Sequence, residues 1–200
     1  MRLIWRFHLV LVLSGWLMAQ IIPFESGGLK YQTLTKNGVT VMFAQLPTQV
    51  REYCIMQVAV SNGSLVPWVV KPIDFKYQRP DGGEVSSAPP RDVVREFVEK
   101  AGRSDVIKLI STYEMGLYGM QRIRSTNGYE QRRQAAQTEL TNSKLKAAAA
   151  ASAIAFVDTK LQPGQTTDGA VFYDTHGKPL TAGKFIVRTA GELYVFPVVP

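Results

Sequence analysis

The order of periodicities along this chain limits its fold more than any other feature. Period-two alternation fills both ends and helical spacing fills the middle. Tyr31–Thr35 and Val39–Phe43 flank Asn37-Gly38, a pair suited to the positive φ angles of a tight hairpin turn. Tyr53–Ser61 reads as the strongest strand and ends at Asn62-Gly63-Ser64. Leu65–Tyr77 continues as extended chain broken by Pro67 and Pro72, and Asp81-Gly82-Gly83 marks another turn. Strand signals return at Phe156–Asp158, Gly169–Tyr173, Lys184–Arg188 and Leu193–Phe196. Each half has too few strands for a core of its own, so the two halves are expected to share one sheet system.

The middle block reads as about three helices. Val94, Phe97 and Val98 share a face over Arg91–Ala101. Ser104 has the hydroxyl to cap a second helix, whose face is Val106, Leu109, Ile110, Tyr113, Leu117 and Met120. Asn127 and Glu130 have capping-box spacing and open a third helix that runs to about Ser152 through the tract Ala147–Ala151. Its bulk is thin, chiefly Ala136, Leu140 and Ile154, and its small side chains permit a homodimer through the Ala-rich helix.

Residues 1–19 read as a secretory signal: Arg2 and Arg6 precede the ten-residue apolar run Leu9–Met18. Cleavage is placed after Ala19, with Leu17 larger than the small residue usual at the minus-three position; the alternative is an uncleaved N-terminal anchor. The run is too short to span a bilayer, and no later segment approaches 18 uninterrupted apolar residues. Removing residues 1–19 takes His8 away and leaves His176 as the sole histidine. The organisation expected is a signal at 1–19, a linker at 20–29 with Pro23 and Gly27-Gly28, sandwich at 30–87, helices at 88–154 and sandwich at 155–200.

The alternating strand Tyr53–Val60 with Asn62-Gly63-Ser64, then Pro72-Ile73-Asp74-Phe75 and Asp81-Gly82, then Leu161-Gln162-Pro163-Gly164 leading to Gly169-Ala170-Val171-Phe172, resembles the immunoglobulin-like exported bacterial domains grouped as DUF4352. The resemblance covers roughly residues 30–85 and 155–198, and the helical block departs from it. It implies an immunoglobulin-like antiparallel β-sandwich of α+β class, interrupted by an inserted block of about three helices. It also implies a binding or adhesion-type role and brings no catalytic residues.

The residues themselves carry little chemistry. Cys54, the one cysteine, shares a face with Met56, Val58 and Val60 and reads as a buried hydrophobe. His176 lies in a polar turn, and Asp158, Asp168 and Asp174 read as turn residues without metal-ligand spacing, so no metal and no cofactor is expected. No nucleophile elbow or phosphate-binding glycine loop occurs. Of the formal charge of +7, +4 lies in the helices, where Pro90–Ala150 holds 11 Lys/Arg against 7 Asp/Glu. Arg122, Arg124, Arg132 and Arg133 cluster there, with Lys144 and Lys146 following. The cluster is either a solvated face or a docking site for an anionic envelope component or an acidic protein. Nucleic acid is not expected, because no aromatic–basic interleaving marks a strand-binding surface. The expectation is a non-enzymatic extracytoplasmic module of the bacterial cell envelope, periplasmic or secreted. The alternative is an envelope hydrolase or other enzyme with its site between sandwich and helices.

Overall fold

The computed structural model describes residues 20–47, 49–119, 128–138 and 143–198. The expected signal segment, the Asn127 cap, Arg122, Arg124, Met120 and Leu140 lie outside the described residues. The strands are β1 (Ile22–Ser26), β2 (Leu29–Lys36), β3 (Val39–Gln45), β4 (Tyr53–Asn62), β5 (Trp68–Val70), β6 (Phe75–Gln78), β7 (Glu84–Ser86), β8 (Thr159–Leu161), β9 (Thr166–Asp174), β10 (Gly183–Thr189) and β11 (Glu192–Val198). The helices are α1 (Pro90–Lys100), α2 (Arg103–Gly119), α3 (Tyr129–Thr138) and α4 (Ser143–Ile154).

The fold is α+β and its three main layers follow from the two faces of one sheet. That sheet runs β1-β2-β3-β4-β9, antiparallel throughout. Cys54, Met56, Val58 and Val60 of β4 point to a second sheet, β11-β10-β6-β7, and join Phe75, Phe185, Val187, Tyr194 and Phe196 in one core. Phe43 anchors this core, with ring centroids 4.4 Å from Phe185 and 5.1 Å from Phe196. Tyr53 and Ile55 point the other way and pack with Val93, Phe97, Leu109, Tyr113 and Ile154 of the helices. The sandwich therefore carries its helical block on the outer face of the larger sheet. Among the described residues, no helix is long and apolar enough to cross a membrane.

Tight turns set the registers. Asn37 and Gly38 both have positive φ, 47° and 79°, and connect the Lys36↔Val39 pair as a two-residue turn. Gly27-Gly28 does the same between Ser26 and Leu29. Residues 20–29, expected as a linker, thus contain a strand and its hairpin turn. Ser26↔Leu29 is the bonded pair that closes this turn, so Ile22, Phe24 and Ser26 face their bonds inward and the Pro23 nitrogen faces the open edge. By the same count from Thr189↔Glu192, Pro197 presents its nitrogen outward from β11. Both strands bordering the open side of the sandwich thereby lack a donor where another chain would pair.

The third helix expected from the sequence is two helices. Arg132 Nη1 donates to the Ser152 carbonyl at 3.3 Å, so the chain doubles back between Tyr129 and Ile154. A continuous helix would separate Arg132 from Ser152 by about 30 Å. The Ala-rich tract makes this reversal compact: Ala147, Ala148, Ala150, Ala151 and Ala153 are buried against the chain's own helices, since α4 packs on α1, α2 and α3. The small face proposed for a homodimer is therefore already covered. At the start of α2, Asp105 Oδ2 accepts from the Gly102 backbone N–H at 2.9 Å and lies 3.4 Å from Arg51.

Asn62 joins the two sandwich halves. Its buried Nδ2 donates to the carbonyls of Val66 and Leu161, while Oδ1 accepts from the backbone N–H and hydroxyl of Ser64. Its carbonyl accepts from Gly164, whose φ of 79° completes the Pro163-Gly164 turn. Asn62→Ala strands the buried Leu161 carbonyl and releases the Ser64–Val66 loop. It is expected to cost about 2–4 kcal/mol, read as a lower denaturant midpoint with an unchanged m-value.

Candidate functional site

The helix-facing side of the central sheet is not uniformly apolar. Gln57 sits in the middle of β4 with no exposed surface, and Asp168 sits in β9 with 1% exposure. Asp168 lies opposite Ala59, and Gln57 opposite Ala170, so both carboxamide and carboxylate enter the layer between sheet and helices. Tyr113, on the buried face of α2, donates its hydroxyl to Asp168 Oδ2 at 2.6 Å. Tyr31, from β2, donates to Gln57 Oε1 at 2.9 Å and lies 3.2 Å from the Gly116 carbonyl. Gln57 Nε2 is buried and has no acceptor among the described residues. Gly116 permits this close approach, because a Cβ there would collide with Gln57 Oε1. Gly169 does likewise beside Asp168: a Cβ would lie 2.6 Å from the Phe156 Cα.

A second tier closes the seam. Tyr129 donates to Glu114 Oε1 at 3.0 Å, its ring 5.3 Å from that of Tyr113. Arg133 Nε lies 2.7 Å from Glu114 Oε1, and its Nη1 is 3.7 Å from Glu130. The Arg132 charge acts on Tyr113 against the rise that Asp168 produces. Burial, followed by the Asp168 charge, pushes the hydroxyls of Tyr31 and Tyr113 well above the ordinary tyrosine value. Burial and then Glu114 do the same to Tyr129. Tyr113 and Tyr31 tie α2 to the sheet, and Tyr129 ties α3 to α2.

Among the residues singled out from sequence, Arg132 and Arg133 are half-buried and engaged with Ser152 and with Glu114 and Glu130. Lys144 donates to the Glu99 carbonyl at 2.9 Å. Cys54 is buried in the core between the sheets, where its Sγ is 3.3 Å from the Lys178 carbonyl. His176 stands on an exposed turn with Asp174 Oδ1 3.3 Å from its Nδ1. Among the described residues, no group of three His, Cys, Asp or Glu side chains converges. Asp168 was expected in a turn and proves to be the buried acceptor of the seam. The sequence gives no sign of this, since Thr166, Thr167 and Gly169 around it have the composition of a turn.

The open side of the sandwich offers a different surface. A groove of about 850 Å³ runs past β1, lined by Ile21, Pro23, Phe24, Phe43, Pro197 and Val198 among others. Phe24 stacks on Tyr31 at 5.1 Å and remains partly exposed. On the β11 border, Gln32 and Lys36 donate to the outward carbonyls of Pro197 and Leu193. Side chains thus occupy acceptors that an added strand would need.

No protein-family model matches the chain, and no curated protein matches it. Among solved structures it is similar to the yjhA protein from Bacillus subtilis. That likeness has a TM-score of 0.34 and 8% sequence identity, and it covers 84% of this chain and 77% of that chain.

Tyr113→Phe removes the donor to Asp168 and is expected to cost about 1.5–3 kcal/mol in chemical denaturation. The raised tyrosines also set a pH dependence. Their folded values lie above the ordinary 10.0, so the stability they lend is complete below about pH 10 and falls as pH rises beyond it. Unfolding followed from pH 8 to 12 should show this loss, and Tyr113→Phe should flatten it.

Proposed function

We propose that this chain is a non-enzymatic binding or structural module of the bacterial cell envelope, exported to the periplasm or beyond and akin to immunoglobulin-like exported domains. The observation that carries this reading is the division between interior and surface. The buried titratable groups at the layer interface are spent on hydrogen bonds that orient helices on the sheet. The accessible features are an apolar groove, proline-guarded edges and a basic helical block, which suit contact with a partner more than bond-making. The basic Arg2 and Arg6 before Leu9–Met18 support export.

The partner is an anionic envelope component or an acidic protein, met by the arginines of the helical block. Arg132 and Arg133 also hold internal contacts, so reversal of Arg122 and Arg124 tests the charge without disturbing those contacts. Retention of the chain on envelope preparations is expected to weaken as salt rises and to drop in Arg122→Glu/Arg124→Glu. Arg133→Glu should instead lower stability by opposing Glu114 and Glu130. Retention untouched by salt and by the Arg122/Arg124 reversal would remove the docking site. Protease protection in spheroplasts would place the chain in the cytoplasm and end the envelope reading.

A second reading, an envelope hydrolase or other enzyme with its site between sandwich and helices, draws on the pairing of Asp168 with Tyr113 below Arg132. It requires Asp168→Asn to abolish a hydrolytic activity of the exported chain while the fold persists. Loss of folding alone assigns the seam to architecture.

A further inference from the structure

One end of the sandwich displays apolar side chains on a loop that is held stiffly. The loop Gly63–Pro67 follows β4, and at its tip Leu65 is 94% exposed and Val66 49% exposed. Exposed apolar loop residues are ordinary when the loop is loose, but this one is tied down. Asn62 binds Ser64 twice and Val66 once. Ser64 Oγ also accepts from Trp68 Nε1 at 2.8 Å, and the Gly63 N–H donates to the Gly38 carbonyl at 2.8 Å. A Cβ at Gly38 would lie 3.0 Å from the Ser64 backbone, so the β2–β3 turn abuts the loop directly. That turn meets the β10–β11 turn through Asn37 and Glu192, and half-exposed Val69 and Leu193 face a shallow pocket of about 400 Å³ beside it. Leu65, Val66, Val69 and Leu193 therefore belong to one end of the molecule.

The chain enters its fold from the same end. β1 runs toward Gly27-Gly28, and Ile22 pairs with Thr33, so the residues before it come from the side of the Asn37-Gly38 turn. The apolar run Leu9–Met18 stops four residues before Ile22, a reach of at most about 14 Å. Whatever holds that run must lie close to this end of the sandwich. The run is too short to span a bilayer, and one short apolar element holds a chain to lipid only reversibly; lasting attachment takes two.

We infer that the Leu65–Val66 loop is a lipid-contact element, the second hold on the membrane surface that receives the N-terminal run. The inference rests on the envelope reading above in the form in which the N-terminal run is kept as an anchor rather than cleaved after Ala19, and gives it a surface. Trp68 closes the loop from behind, its indole half-buried against the core of the sandwich. The stiffness has a use in this setting, because a loop already held in shape loses little freedom when its tip enters lipid.

Trp68 also supplies the reporter. The chain has three tryptophans, Trp5, Trp16 and Trp68, so Trp5→Phe/Trp16→Phe in the full chain leaves Trp68 alone. Vesicles of phosphatidylethanolamine and phosphatidylglycerol are added, with and without brominated acyl chains. The expected result is a blue shift of Trp68 emission and quenching by the brominated lipid. Adding Leu65→Ser/Val66→Ser should weaken vesicle partitioning roughly tenfold or more and abolish the quenching, with the thermal transition unchanged. Three results overturn the inference: flotation with vesicles while Trp68 stays unquenched, no association with vesicles, or a blue shift that follows protein concentration without lipid, which assigns the tip to a second copy. A cytoplasmic location in the protease experiment would sink the envelope reading and leave the vesicle result standing by its own measure.

Discussion

The antiparallel pairing of β4 with β9 is the contact on which the remaining architecture depends. It runs from Tyr53↔Asp174 to Ser61↔Thr166 and joins segments separated by the whole helical block. Closing so long an excursion costs chain entropy that grows only slowly with length, so a large insertion is tolerated where the strands on either side find each other. The pairing also places β4 inside the sheet, which buries both of its faces. One face must then meet a second sheet and the other must meet helices. Ala155 and Phe156 reach along β9, where the Phe156 N–H donates to the Ala170 carbonyl at 2.9 Å, and the Ala88 N–H donates to Phe172 at 2.7 Å. The entry and exit of the insertion are thus stitched to the same strand, and the outer edge of β9 is covered by the chain that leaves and re-enters it.

Burial on both faces explains what the sequence left legible and what it hid. The order of strands, helices and strands could be read because each class keeps its period. Asn37-Gly38 and Pro163-Gly164 could be read because their φ angles admit few residues. Cys54 could be read because Met56, Val58 and Val60 share its face. β1 was hidden, since Pro23 and the two glycines look like linker chemistry until both are recognised as edge-strand and hairpin devices. Asp168 was hidden by its neighbours Thr166, Thr167 and Gly169, which resemble a turn. Its partner Tyr113 is 55 residues away, and no local pattern announces such a bond. The division of the third helix was hidden because an alanine tract has high helical propensity in either arrangement. What decides it is packing on α1, α2 and α3, a property of the folded chain alone.

The positive charge takes on a different meaning once the helices are placed. Arg132 and Arg133 belong to the basic cluster of the sequence, and both, while half-exposed, also contact neighbouring helices. Arg133 balances Glu114, which in turn orients Tyr129 against Tyr113. A charged side chain in such a position serves packing through its stem as much as through its charge. Sequence clustering of like charges marks a region rich in cations; only the fold distinguishes the cations it uses internally from those it shows to solvent. The seam built from these residues has a further consequence. Polar contacts specify angle and register more tightly than apolar contacts do, so a helical layer with few large side chains can still sit on the sheet in one orientation.

Asn62 connects this architecture to the surface. Its side chain secures Leu161 from the second half of the sandwich and Ser64 and Val66 from the loop that follows β4. The bonds that close the sandwich and the bonds that stiffen the apolar tip therefore converge on one buried carboxamide. Rigidity at Leu65 is a by-product of joining the two halves, so a stiff apolar loop could persist here without a separate stabilising device. Selection for contact with a membrane would then need to change only the two residues at the tip. The proline-guarded edges complete the division, since they leave the groove open to side-chain contact while withholding the donors that would recruit another strand. Strand addition is discouraged along the open side, and the most exposed apolar side chain described, Leu65, stands at the end where the chain arrives.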